Sequence, residues 1–512
     1  MADKSQGRLK KFLGIAPDTK LSPMLAYNSA VFLSGGSFYI IGIYFLSFLT
    51  YVEGLSATQA GIVVLCAKLC DAISDPIMGV ITDHTRSRFG KHRKYILIGI
   101  IPVAVSYFCM WYSFGISAHG NTTATMIYYI FAYVLFSTAY TVVIVPHTAM
   151  FPEIAPEYSL RTQYNAVKTI LDAVGSYSSF IISAILFGFF ETEKFTSESR
   201  SKFLIMGSVL CLWLSLPLLY TFFGTHEPSS LNEPKSTMTV QSLIREYKSI
   251  LSDKCFRQYF ILSLFNGIAL GFVSNTSYYF IRNVAQQPSM YSLLTTVAGV
   301  AEAAGFPLNY MLSIKIGKQV PARLMLPMML AAFTLALFVN PSTPVWYIFL
   351  IFILYNLGLS GANYVTNNLF PDVADVDYMI TGRHREGTLA TFSTFIKKTI
   401  SGLMATLTGF ILTGFGFDTT LDAAEQTAKA IWGIKFTYAV IPMIFIAFSI
   451  YCSFKYKMRK KEHDLIRRSI AQKEENGTAV LTESEQKTLE NIAGKPFETM
   501  WIAQGSDSPA SV

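Results

Sequence analysis

Apolar windows of about 20 residues recur along the 512-residue chain, and that is the length an α-helix needs to cross a bilayer. Twelve are read, at 24–50, 57–82, 95–115, 124–150, 162–190, 202–224, 256–282, 289–312, 322–340, 344–370, 386–415 and 432–454. Several are longer than the hydrocarbon core requires, which permits tilt but fixes no angle. The pattern predicts an all-α membrane protein with twelve transmembrane helices. Six windows precede a polar connection at 225–255, which holds two prolines and an amphipathic piece near 239–251, and six follow it. The expected organisation is an N-terminal segment 1–20, a six-helix bundle 21–224, the connection 225–255, a second six-helix bundle 256–455 and a tail 456–512. The tail is charged and polar. It shows one helical pattern near 459–474 and a Ser/Gly/Pro-containing end that reads as disordered.

Composition agrees with the pattern: 52% of residues are hydrophobic and 14% charged, against about a quarter charged in a soluble domain. The basic start lacks a short apolar core with a small-residue cleavage site, so the first apolar run reads as a retained helix. The net charge of +8 is unevenly placed. Residues 1–20 and 83–94 each hold five Lys and Arg and 225–255 holds four, whereas 51–56, 116–123 and 341–343 hold none. The positive-inside rule then puts both termini in the cytoplasm of a cell (plasma) membrane protein. The basic excess reflects this topology and gives no reason to invoke nucleic acid. The six cysteines lie in or beside spans. Cys66 and Cys70 share a face but lack a second ligand pair, so neither a disulfide framework nor a structural metal is expected. No phosphate-binding Walker loop, HExxH or nucleophile elbow occurs, so the chain does not read as an enzyme and no cofactor is expected.

The halves echo each other. FPEIAPEY (151–158) follows the fourth window and FPDVADVDY (370–378) the tenth. GVITDHTRSRFGKHRK (79–94) follows the second and the weaker MLSIKIGKQVPARL (311–324) the eighth. Such repetition is the trace of duplicated bundles around a central substrate path. Charges inside apolar windows are the main chemical signal, because each is costly at membrane depth unless paired or facing water. They are Asp71, Asp75, Asp172 and Glu302, with Lys68, Lys168, Lys397 and Lys398. Positions 68, 71 and 75 fall on one helix face. Asp71 and Asp75, with Ser74 between them, offer carboxylate and hydroxyl oxygens to one hard cation such as Na+. A proton could instead neutralise one acid.

GVITDHTRSRFGKHRK resembles the loop between helices two and three of major facilitator transporters. DAISDPIMG, PDVADVDYMITGRHREG (371–387) and FIKK (395–398) resemble the signatures of the glycoside–pentoside–hexuronide:cation symporters, which include the melibiose, lactose and xyloside permeases. The resemblance spans residues 20 to about 456 and implies the major facilitator fold. By this resemblance Asp71 and Asp75 match the family's helix-II cation ligands, Thr141 a hydroxyl ligand, and Lys398 the helix-XI lysine beside the ion. Lys397 is its neighbour. Lys68 stands where melibiose permease has a basic residue, and Lys168 where arginine is usual, with Asp172 one turn on as its pairing partner. Two departures stand out. Ser74 replaces an asparagine, leaving Na+ or H+ open. The acidic sugar-holding positions of helices I and IV fall at Ser34–Ser37 and about Ile144, where no carboxylate stands.

Sugars are gripped by aromatic faces and by amides, hydroxyls and charges. The candidate contacts are Tyr140 and His147 in the first half, with Asn363, Tyr364 and Asn367 in the second. Trp111, Trp213 and Trp346 near span ends read as an interfacial belt. The charged groups Asp83, Arg86, Asp372, Asp375, Arg385 and Glu386 read as a cytoplasmic gate latch, with Arg86 or Arg161 facing the acids. The expected function is Na+- or H+-coupled import of a sugar or glycoside by alternating access, with a monomer as the transport unit in the lipid bilayer. The alternatives are symport of a lysophospholipid or other amphiphile, and a non-transporting sensor on the same fold.

Overall fold

The computed structural model describes residues 21–155, 158–187, 197–227, 248–316, 320–383, 385–455, 458 and 460–504. Each apolar window forms a helix. The first window is α1 (Leu21–Asn28) and α2 (Val31–Ile40), continued by π-helical turns at Ile41–Phe45 and Phe48–Val52. Next come α3 (Ala57–Asp83), α4 (Arg93–Cys109), α5 (Thr122–Ala149), α6 (Tyr158–Phe187) and α7 (Arg200–Gly224). The second half contains α8 (Lys254–Tyr279), α9 (Tyr291–Ile316), α10 (Val320–Leu337), α11 (Val345–Thr381) and α12 (Glu386–Gly414). The last window is split into α13 (Ala428–Lys435) and α14 (Ile441–Lys455). Among the described residues no strand occurs, and nine helical segments are long and apolar enough to cross a bilayer.

Two compact units contain these elements: residues 1–240, 277–292 and 405–431 form one, and 241–276, 293–404 and 432–512 the other. In the first, α3 and α4 pack on α5, α2 on α6, and α4 on α7. Gly35 and Gly36 make the α2–α6 approach possible. A Cβ on Gly35 would lie 2.7 Å from the Asp172 carbonyl oxygen, and one on Gly36 would lie 2.5 Å from Ser179 Oγ. At the far end of α3 the backbone meets residues 405–414. There Thr406 Oγ1 donates to the Gly61 carbonyl at 2.9 Å, and Thr58 Oγ1 lies 2.9 Å from Thr413 Oγ1.

An aromatic cluster of Phe45, Phe48, Trp111, Tyr129, Tyr133 and Phe203 fills the same unit, with Trp111 stacked on Phe203 at 5.8 Å. Trp111 is therefore core, not interfacial belt. It is fully buried, whereas Trp213 and Trp346 are exposed. Proximity to a span end could not separate the two roles, because both bury an indole ring in an apolar setting.

A clasp missed in the sequence closes the 84–92 loop. Glu227, just beyond α7, accepts hydrogen bonds from the backbone N–H groups of His92 and Arg93 and, at 2.6 Å, from His92 Nδ1. These are the unpaired donors at the start of α4. Gly90 at φ +89° leaves room for the carboxylate, since a Cβ there would meet Glu227 Oε2 at 2.1 Å. Burial pushes the Glu227 carboxyl up, but the His92 ring and the two N–H groups outweigh it and hold the carboxyl below its ordinary range. A depressed folded value means the stabilisation is complete above the unfolded value of about 4.3 and is lost as pH falls through the lower folded one. Glu227→Gln should destabilise the solubilised protein by about 1–3 kcal/mol at neutral pH. Thermal unfolding between pH 3 and 7 checks this: the difference from the parent should shrink toward the acid end.

In the second unit α11 continues through Pro371 to Thr381, so FPDVADVDY lies within the helix rather than after it. The helix stops at Gly382, φ +64°, a conformation that costs glycine little. The tail carries the helix expected near 459–474, while its Ser/Gly/Pro-containing end, from residue 505 on, lies outside the described residues. The described part forms α15 (Lys460–Asn476) and α16 (Glu483–Ala493), then two short 3-10 turns to Ala503. Trp501 covers Gly382 and sits 5.1 Å from the Tyr378 ring, while the Tyr378 hydroxyl donates to Glu474.

Candidate functional site

Four oxygen-bearing side chains of the first unit converge where α3 packs on α5. The i, i+4 spacing puts Asp71 and Asp75 on one face of α3, and Thr141 of α5 meets both. Its Oγ1 lies 3.1 Å from Asp71 Oδ1 and 2.9 Å from Asp75 Oδ1. Ser74 Oγ lies 3.3 Å from Thr141 Oγ1. One hydroxyl proton cannot serve two carboxylates at once, so this is a shared bond between like charges. Asp71 is fully buried; Ser74 and Asp75 are half-buried. Pro76 follows directly in the helix interior, and its missing N–H leaves the Ala72 carbonyl without its helical donor. The donor set is all oxygen, which suits a hard monovalent cation or a proton.

Lys68, one turn before Asp71, is buried with Nζ 4.0 Å from the Phe38 ring centroid and 5.7 Å from that of Tyr133. Both distances are within cation–π range. Phe38 in turn meets Tyr140 edge-on at 4.8 Å. The aromatic patch therefore links Lys68 to one of the residues expected to touch substrate.

Other expected site residues are placed differently. His147 is buried and clasps α1 to α5: its Nε2 donates to the Tyr27 carbonyl at 2.8 Å, the Tyr27 hydroxyl donates back at 3.0 Å, and the rings stack at 4.3 Å. Ring face and Nε2 are committed to α1, so His147 serves helix packing. The Lys168–Asp172 spacing predicts an ion pair, but none forms between them. Lys168 is exposed, while Asp172 Oδ1 lies against the α2 backbone at Gly35. On α12, Lys398 is half-buried and Lys397 exposed.

In the second unit Asn363 Nδ2 donates to Glu302 Oε1 at 3.0 Å, Tyr364 is half-buried and Asn367 is exposed. Asn356 and Asn368 instead donate to carbonyls of their own helix.

The gate acids are held from within their own unit. His463 Nε2 of α15 lies 2.8 Å from Asp375 Oδ2 and 3.4 Å from Asp372 Oδ1. Arg385 donates through Nε and Nη2 to the two carboxylate oxygens of Asp377 and lies 4.0 Å from Asp253, which also pairs with Lys495 at 2.6 Å. Arg86 is exposed. The side chains of Asp83, Arg161 and Glu386 lie outside the described residues. Sequence reasoning missed His463, Lys495 and Trp501. A signal for the tail was present in Thr482-Glu483-Ser484-Glu485, the spacing of a capping box, and Thr482 and Glu485 form one at the start of α16.

A family model described as MFS/sugar transport protein matches residues 26–460. An uncharacterized symporter, sll1374 of Synechocystis, is 25% identical over 88% of this chain and 97% of its own. The putative glycoside/cation symporter YagG of Escherichia coli is 26% identical over 83% and 91%. The isoprimeverose transporter of Lactiplantibacillus pentosus is 23% identical over 86% and 88%. Among solved structures, the xylose transporter XylE from E. coli superposes with a TM-score of 0.58 at 12% identity, covering 86% of this chain and 98% of its own, which is a likeness of fold. The chain thus belongs to the MFS/sugar transport family of glycoside–pentoside–hexuronide:cation symporters.

Proposed function

We propose that the protein is a symporter that carries a sugar or glycoside with Na+ or H+ by alternating access, its cation held by Asp71, Ser74, Asp75 and Thr141. The observation that carries this reading is the Thr141 hydroxyl shared by two carboxylates. A cation arriving there takes over the bridge between the carboxylates, while the Thr141 hydroxyl keeps its proton, turns it away and offers a lone pair. The bound cation removes net charge from a site inside an apolar helix. The loaded site can then cross a membrane barrier that the empty, doubly acidic one resists. Lys68 stands one turn away to balance the empty state. The bundles 21–224 and 256–455 are the moving parts, with both termini on the cytoplasmic side and one chain as the transport unit.

A polar substrate is supported by the half-open amide face of α11 and by relatives named as a glycoside/cation symporter and an isoprimeverose transporter. A relative from Danio rerio, 20% identical, is named a sodium-dependent lysophosphatidylcholine symporter; this makes the amphiphile an arm of the test. The purified protein in proteoliposomes should exchange labelled glycosides from a panel that includes isoprimeverose. Exchange should depend on Na+ or on pH, and lysophosphatidylcholine should not compete. Exchange of the lysolipid and of no glycoside would overturn the reading, and binding without flux would mark a sensor.

A further inference from the structure

Glu302 is a carboxylate at the middle of α9, a helix with apolar flanks, and it has no place in the cation site. It shares a helix face with Ala298, Gly305 and Asn309, all buried, and this face packs on α11. At Gly305 the approach is close, since a Cβ there would meet Ser360 Oγ at 2.1 Å; one turn on, Asn309 Nδ2 donates to the same Ser360 oxygen at 2.9 Å. One turn in the other direction the seam opens. Glu302 and Asn363 are only half-buried and Asn367, a turn beyond, is exposed. Asn363 Nδ2 donates to Glu302 Oε1. Among the described residues Glu302 has no cationic partner and no second hydrogen bond.

A carboxylate at membrane depth with a single neutral donor is under-satisfied, and helix glue alone needs only the amides and hydroxyls found at Asn309 and Ser360. Hydroxyl groups of a sugar would supply the missing donors. We infer that Glu302, braced by Asn363, is the carboxylate that grips two adjacent hydroxyls of the transported sugar. Glu302 Oε2 is open to one O–H, Oε1 shares its second lone pair with the other, and Asn363 Oδ1 and its remaining N–H stay available beside them. This also accounts for the first half, where Ser34–Ser37 and Ile144 carry no acid: the acidic sugar contact stands on α9 of the second unit.

The inference rests on the sugar-transport reading, and the test separates the two. Full-length protein in proteoliposomes is assayed by counterflow with methyl glycosides of xylose, glucose and galactose, then with the monodeoxy analogues of whichever exchanges best. In the parent, deleting either hydroxyl of one adjacent pair should weaken apparent affinity roughly 10- to 100-fold, the range for a hydrogen bond to a charged group. Glu302→Gln keeps the volume and one acceptor. It should bind the intact glycoside as weakly as the parent binds the deoxy analogue and lose discrimination between them, with the cation dependence of exchange unchanged. Asn363→Ser should erode the same discrimination and serves if the Gln variant fails to accumulate. Full discrimination retained in either folded variant overturns the inference alone. A parent that exchanges no glycoside overturns the transport reading, and the inference with it.

Discussion

Asp71→Asn should abolish cation-driven accumulation of substrate while leaving exchange of substrate across the membrane intact. Asp71 is the fully buried member of the pair, and its Oδ1 is one of the two anionic atoms that meet the Thr141 hydroxyl. Removing its charge costs the cation one charge-assisted ligand, worth about 1.5–3 kcal/mol, or roughly 10- to 100-fold in affinity. The amide also leaves the site permanently in the charge state that cation binding would create. Conformational exchange should therefore proceed without the ion, and the gradient has nothing to drive. Uptake measured under an imposed Na+ or pH gradient should fall to equilibration, whereas counterflow under equal cation should persist. Asp75→Asn, at a half-buried position, should act in the same direction with a smaller loss of affinity. Full concentrative uptake by Asp71→Asn would remove the pair from the coupling mechanism.

The carboxylate cluster of α3 was legible because membrane helices tolerate few charges and because 3.6-residue periodicity places 68, 71 and 75 on one face. Thr141 entered through family resemblance, since a single threonine in an apolar helix has no distinguishing local signal. The second-unit partners were harder to read. Asn363 was singled out for its amide and Glu302 for its charge, but nothing in linear spacing says that residues 61 apart share a hydrogen bond. His147 misled because an imidazole in a span suggests ligand binding, while its actual partner is the backbone of α1. Lys168 and Asp172 misled similarly: i, i+4 spacing permits a pair, but Lys168 is exposed while the Asp172 carboxylate lies close to α2 at Gly35. The tail was read only in part: the pattern near 459–474 matches α15, whereas α16 went unread because of its low hydrophobicity. Its helices are held by a few specific contacts to α11 and to residues 253–254, and composition does not report those.

The largest expected effect on stability comes from the charge network that ties this tail to the end of α11. Arg385 and Asp377 are nearly excluded from solvent, with side chains 9% and 4% exposed, and Asp253 on the other flank of the guanidinium is 4% exposed. Two carboxylates are thus held close together, inside the protein, by one fork of donors. Arg385→Ala removes the fork and leaves both acids buried with less compensation, a loss of about 3–5 kcal/mol when one member of a buried pair is deleted. Lysine would keep the charge but not the two parallel bonds, so Arg385→Lys should recover only part of the loss. Thermal unfolding of the solubilised protein should show Arg385→Ala as strongly destabilised. The double variant Arg385→Ala with Asp377→Ala should be less destabilised than the sum of the single changes, because it removes the stranded acid as well. Lys495, 34% exposed where it meets Asp253, should matter less, since solvent screens its half of the network. If the double variant instead showed strict additivity, the pair would carry no coupling. The tail would then be held by Trp501 on Gly382 and by the contact of His463 with Asp372 and Asp375.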